Sequence, residues 1–156
     1  MGVADVAHMR ARLLDGAVPL PDRFRVLFSL RGVGGDDAVR ALLDGLLTDP
    51  SALLRHECAF ALGQMQAEGA VEVLRGVLGD GSEHGMVRHE CAEALGAIGT
   101  AECLGALEAH EGSEVSEVAE TCALALRRVQ LLGEARATGD AVGSKKEQMS
   151  AAAAGG

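Results

Sequence analysis

Tryptophan and tyrosine are absent from this chain, and phenylalanine occurs three times in 156 residues. A β-rich fold would want more aromatic and β-branched side chains for its pleated surfaces, and a strand-binding nucleic-acid surface would want aromatic faces for stacking. Basic charge is also scarce: 14 Lys and Arg stand against 23 Asp and Glu, a net charge of −9. That balance argues against nucleic acid as a partner, because such surfaces are basic. It suits a cationic substrate or a basic partner protein, and equally well a solvated surface that keeps the protein soluble. No apolar run approaches the roughly eighteen residues of a membrane span. Met1–Arg12 is polar and broken by charge, unlike a signal peptide. The cysteines Cys58, Cys91, Cys103 and Cys122 show no C-x-x-C spacing. They read as small core residues and point to a reducing, cytoplasmic location.

What the chain does have is 48% apolar residues, rich in Ala, Leu and Val. That is enough for one core in one domain and suits closely packed helices. Four segments repeat: Arg23–Leu30, Leu54–Gly63, Val87–Gly96 and Ala119–Leu126. Leu30 and Leu62 lie 62 − 30 = 32 positions apart, Cys58 and Cys91 lie 33 apart, and Cys91 and Cys122 lie 31 apart. Second helical stretches fall between them at Asp37–Leu47, Gly69–Leu78 and Ala101–Ala109. Asp49-Pro50 supplies a cap and a first-turn proline, while Gly32, Gly79, Gly99 and Gly112 mark turns. The pattern predicts an all-α solenoid of about four HEAT-type helical hairpins. We place that domain at 1–132. Residues 133–156, rich in Gly, Ala and Ser, read as a low-complexity, disordered tail with at most a short helix.

Within the second and third repeats stands a His-Glu pair, His56-Glu57 and His89-Glu90. At about 100° per residue, Leu54, Cys58, Ala61, Leu62 and Met65 form a buried stripe, with His56 opposite and Glu57 on the flank. Val87, Cys91, Ala94, Leu95 and Ile98 repeat the stripe, with His89 opposite. Neighbouring helices pack roughly 8–10 Å apart, close enough for two imidazoles to lean toward one ion. Residues i and i+1 diverge, so each glutamate reaches toward a second metal or supports the first from behind. A dinuclear site is favoured. Imidazole and carboxylate donors with open positions suit non-haem iron over manganese or zinc. The i, i+4 histidines of a zinc-protease helix are absent. Glu93 lies one turn after His89 and suits a cationic group, although it needs no role as a solvated helix charge. Phe60 holds the equivalent place after His56, as an apolar wall or as packing against the next repeat. Arg55 and Arg88 are expected to bridge repeats as salt bridges.

The segments Ser51–Glu57, Leu62–Gln66 and Met86–Gly99, with Arg23-Phe24-Arg25, Leu30-Arg31-Gly32 and Glu117–Cys122, resemble deoxyhypusine hydroxylase over about Leu20–Val129. That family is a HEAT-repeat, non-haem di-iron monooxygenase that hydroxylates deoxyhypusine, a modified lysine, on a translation initiation factor. The resemblance implies that His56, Glu57, His89 and Glu90 are iron ligands, with dioxygen activated between two irons. It also implies Glu93 as a candidate for the substrate's ammonium. The family has two halves and four His-Glu pairs; this chain carries two, and Glu120-Thr121 stands where a third is due. A second copy, as a homodimer, or a separate complementing half would complete the site. The alternatives are an inactive fragment or a non-catalytic HEAT scaffold that binds a protein. A pigment-attaching HEAT lyase has no support in the residues.

Overall fold

The computed structural model describes the backbone of residues 2–154 and the side chains of 4–139. The described chain holds eight α-helices and no strand. They are α1 (Val3–Leu14), α2 (Leu20–Val33), α3 (Gly35–Thr48), α4 (Ala52–Gln64), α5 (Val71–Gly79), α6 (Gly85–Ile98), α7 (Ala101–His110) and α8 (Ser116–Ala154). Consecutive helices pair into four hairpins. The odd-numbered helices form one layer and the even-numbered a second, in which α2, α4, α6 and α8 lie side by side. This is the expected all-α solenoid. Among the described residues no helix is long and apolar enough to cross a membrane.

Local chemistry explains the boundaries. Ser51 caps α4 by accepting the Leu54 N–H, and Thr100 caps α7 by accepting the Cys103 N–H. Gly99 closes α6 in the left-handed conformation at φ 70°. Three hairpin links share one device. Asp15, Asp49 and Asp80 each follow an odd-numbered helix and accept the N–H two residues on, at 2.9, 2.8 and 2.9 Å.

The core is aliphatic throughout. Leu13, Leu27, Leu30, Leu42, Leu54, Leu62, Leu74, Leu95 and Leu107 are fully buried, while Phe24 and Phe28 only border the core. Cys58, Cys91, Cys103 and Cys122 are all buried and unpaired, as the register of the three in α4, α6 and α8 implies for those three. Helix α1 is the element the sequence pattern does not announce, because its apolar contribution to the core reduces to Val6 and Leu13 with Met9 beside them.

Buried arginines tie the hairpins. Arg23 donates from Nε to the Leu13 carbonyl at 2.8 Å and pairs with Asp49; Arg88 donates to the Leu78 carbonyl at 2.9 Å. Both carbonyls belong to the last turn of a helix, where no intrahelical donor exists. Arg88 thus clasps its own hairpin instead of bridging repeats. Arg55 does bridge them, donating to both Glu83 oxygens at 3.1 and 2.8 Å and to the Asp49 carbonyl at 2.8 Å.

Helix α8 passes the boundary placed at 133 and continues to Ala154. The alanines, lysines, glutamate, glutamine and methionine of this stretch are strong helix formers and outweigh its glycines. What changes near the boundary is burial: Leu126 is the last buried residue among those described, and residues 130–139 are exposed. Residues 155 and 156 lie outside the described chain.

Two stability outcomes follow. Burial alone would raise the Glu83 carboxyl, but the Arg55 hydrogen bond, the His84 N–H and the Arg55 charge together hold it below its ordinary value of 4.5. Glu83→Gln should therefore cost about 1 kcal/mol near neutral pH. Because the folded value is the lower one, the difference from wild type should fade as pH falls below 4.5 through that value, as urea titrations at several pH values will read. Gln66 has φ 50°, at the turn where the next repeat places Gly99. Gln66→Gly should raise the unfolding free energy by about 1 kcal/mol in the same titration, by relieving left-handed strain.

Candidate metal centre

The site begins with two residues that have almost no side chain. A Cβ on Gly63 would lie 2.8 Å from the Ala94 Cα and 3.0 Å from its Cβ, so α4 and α6 touch nearly backbone to backbone. One repeat on, a Cβ on Gly96 would lie 3.0 Å from the Ala125 Cβ, which joins α6 to α8 in the same way. This contact lets side chains on the same face of each helix, one or two turns back, reach across to the next repeat.

They do so in one register. His56 on α4 places Nε2 3.0 Å from Glu90 Oε2 on α6. His89 on α6 places Nδ1 2.7 Å from the Thr121 hydroxyl on α8. Each histidine therefore meets the residue at the glutamate position of the following repeat. Each imidazole is held by a different neighbour, and both lower the Glu90 carboxyl they flank. Nor does the divergence of adjacent positions separate the first pair. Glu57 has a side chain long enough to span it, and its Oε1 lies 3.2 Å from His56 Nδ1. His56 thus stands between two carboxylates, with side chains 21%, 24% and 12% exposed for His56, Glu57 and Glu90.

Burial pushes the Glu90 carboxyl above its ordinary range; His56 and His89 pull it back, and Glu93 and Glu57 add to the rise. A buried carboxylate with acidic neighbours favours a cation beside it. The donor set of imidazole nitrogen and carboxylate oxygen fits iron in kind. It does not fit in number: among the described residues no three His, Cys, Asp or Glu side chains close around an ion. The cysteines do not help. Burial pushes the Cys58 thiol up to about 12 and the Cys122 thiol up to about 11, and raises Cys91 too, so none of these three offers a thiolate.

Beside Glu90 runs a small groove of about 170 Å³, lined by Phe60, Gly63, Glu90, Glu93, Ala94 and Arg128 among others. Phe60 is 36% exposed and forms a wall there. Glu93 does take a cationic group, the guanidinium of Arg128 on α8, at 3.2 Å. On the other side of His56, an apolar groove of about 270 Å³ is lined by Ala52, Leu53, His84 and Met86. Leu53 and Met86, at matching repeat positions, are each 55% exposed. Sequence reasoning missed Thr121 and Arg128 as site neighbours. For Thr121 the signal was register, since it lies 121 − 90 = 31 positions after Glu90; Arg128 lies 35 after Glu93, one turn past the repeat equivalent Leu124, and had no such signal.

Because the Gly63 neighbour is backbone, Gly63→Ala must spread α4 from α6. It should cost about 1–3 kcal/mol in urea unfolding. Gly76→Ala in α5, where an added Cβ meets nothing within 4 Å, should instead be neutral or gain up to about 1 kcal/mol.

Comparison with known proteins agrees with this fold. A family model of HEAT repeats matches residues 27–127. Deoxyhypusine hydroxylase of Gallus gallus is 51% identical over 130 residues, which cover 83% of this chain and 43% of that protein. The Rattus norvegicus protein is 50% identical over 139 residues, covering 86% and 46%. A solved structure of human deoxyhypusine hydroxylase in complex with glycerol superposes with a TM-score of 0.77 at 48% identity, over 81% of this chain and 43% of that one. The chain spans less than half the length of the curated relatives it matches. It belongs to the HEAT-repeat family, and within that family its sequence and fold are similar to the N-terminal half of deoxyhypusine hydroxylase.

Proposed function

We propose that this chain is one half of a two-half deoxyhypusine hydroxylase, a cytoplasmic, O2-dependent monooxygenase that acts on deoxyhypusine in a translation initiation factor. One observation carries the reading. His56 contacts Glu90 across the α4–α6 boundary, so ligand-type side chains of two repeats share one half-buried edge. The roughly 50% identity to proteins of that name supports it.

In this reading His56, Glu57, His89 and Glu90 hold iron, and the other ligands come from a second copy or a complementing half. Bound iron would supply the activation of dioxygen and the oxidising power for attack on a carbon–hydrogen bond. The chain's own residues bind and orient. His56 and Glu90 are positioned by the Gly63–Ala94 approach, and the carboxylates balance the cation. Glu93, with Phe60 beside it, receives the substrate's ammonium; that it already accepts a guanidinium supports this role. The acidic surface suits a polyamine-like side chain, and neither nucleic acid nor membrane has a part in the reaction.

A second reading, a non-catalytic HEAT scaffold that binds a protein, is favoured by the absence of a closed ligand set among the described residues. Anaerobic purification with Fe2+, followed by metal analysis and solution mass, separates the two. About one iron per chain in a dimer is expected, with iron lost in His56→Ala and His89→Ala. A monomer that retains no iron overturns the catalytic reading for this chain alone.

A further inference from the structure

We infer that Thr121 is a positioning residue that fixes the tautomer of His89 and leaves its Nε2 as the bare, metal-facing nitrogen. The inference rests on the metal reading above and on proton counting in two hydrogen bonds.

The Thr121 hydroxyl lies 2.7 Å from the Glu117 carbonyl oxygen, one turn back on α8, and 2.7 Å from His89 Nδ1. A hydroxyl carries one proton, and a carbonyl oxygen can only accept. Two oxygens at 2.7 Å without a proton between them repel, so that proton lies on the line to Glu117. The hydroxyl must then accept from His89, which places the imidazole proton on Nδ1. In a neutral ring with Nδ1–H, Nε2 holds the free lone pair. Among the described residues Nε2 of His89 makes no hydrogen bond, whereas both nitrogens of His56 are engaged.

The setting is rigid. Thr121 is 5% exposed, its bond to Glu117 fixes its rotamer, and α8 is held to α6 by Gly96 against Ala125. A histidine that ligates a metal through one nitrogen commonly donates its other N–H to a fixed acceptor, which sets ring orientation and raises ligand basicity. Thr121 supplies that acceptor without the negative charge that Glu90 brings to His56. The departure from a third His-Glu pair at Glu120-Thr121 thereby acquires a role: the neutral hydroxyl orients His89 and does not compete for the ion.

The test uses the full chain labelled with 15N-histidine. At about pH 8, where imidazole is neutral, 15N shifts should report Nδ1–H at His89, identified by its loss in His89→Gln. Thr121→Val keeps the β-branched shape and removes the acceptor, so it should abolish the Nδ1–H preference. Thr121→Ser should restore it. Titration with Co2+ should show about 10–100-fold weaker binding in Thr121→Val, recovered in Thr121→Ser, while the helical circular dichroism of all three remains alike. A His89 tautomer unchanged by Thr121→Val overturns the inference. If the tautomer responds as expected but none of the proteins binds Co2+, the tautomer assignment stands and the metal reading falls.

Discussion

The close approach of α4 to α6 at Gly63 and Ala94 is the constraint from which the site follows. Helices that pack through leucines sit roughly 8–10 Å apart, and glycine against alanine draws them toward the short end of that range. Side chains on the flank can then contact the next repeat directly. Gly96 and Ala125 repeat the contact between α6 and α8, so the same relation of histidine to following repeat occurs twice. A solenoid with bulkier residues at these two positions would keep its core and lose the contact between His56 and Glu90. The leucine layer on the other side of each helix holds the stack together but is indifferent to that spacing.

Charge is handled differently on the two edges of the even-numbered helices. At their N-terminal ends, arginines are fully engaged. Arg23 and Arg88 satisfy helix-end carbonyls, and Arg55 joins Asp49 to Glu83. Toward the middle, carboxylates gather without a matching basic residue: Glu57 and Glu90 share one imidazole, and only Glu93 has an arginine. The first arrangement rigidifies the joints between hairpins. The second leaves a concentration of negative charge and imidazole nitrogen that a cation would relieve. Rigid joints beside an unbalanced edge suit a binding site better than a purely structural surface.

Much of this was legible in the sequence. A register near 32 residues identified the hairpins, because each repeat must present the same aliphatic stripe to its neighbours; Leu62 and Leu95 are both fully buried. The His-Glu pairs stood off that stripe for the same reason. What periodicity could not supply was the distance between helices and the reach of side chains. It placed His56 and Glu57 on diverging directions, yet a glutamate side chain spans the divergence. It offered two imidazoles leaning toward one ion, but not the contact that each makes with the glutamate position of the following repeat. Helix α1 was invisible because two buried residues are too few to make a pattern. Composition marked a change near 133, a few residues after Leu126, the last buried residue among those described.

The most direct measurement is iron-edge anomalous diffraction from crystals of the iron-loaded protein. Peaks are expected against the edge shared by α4 and α6, within bonding distance of His56 and His89 nitrogens and of Glu90, with the remaining ligands from a second half. Iron bound at another place, or enclosed by the side chains of a single chain, would contradict the half-site.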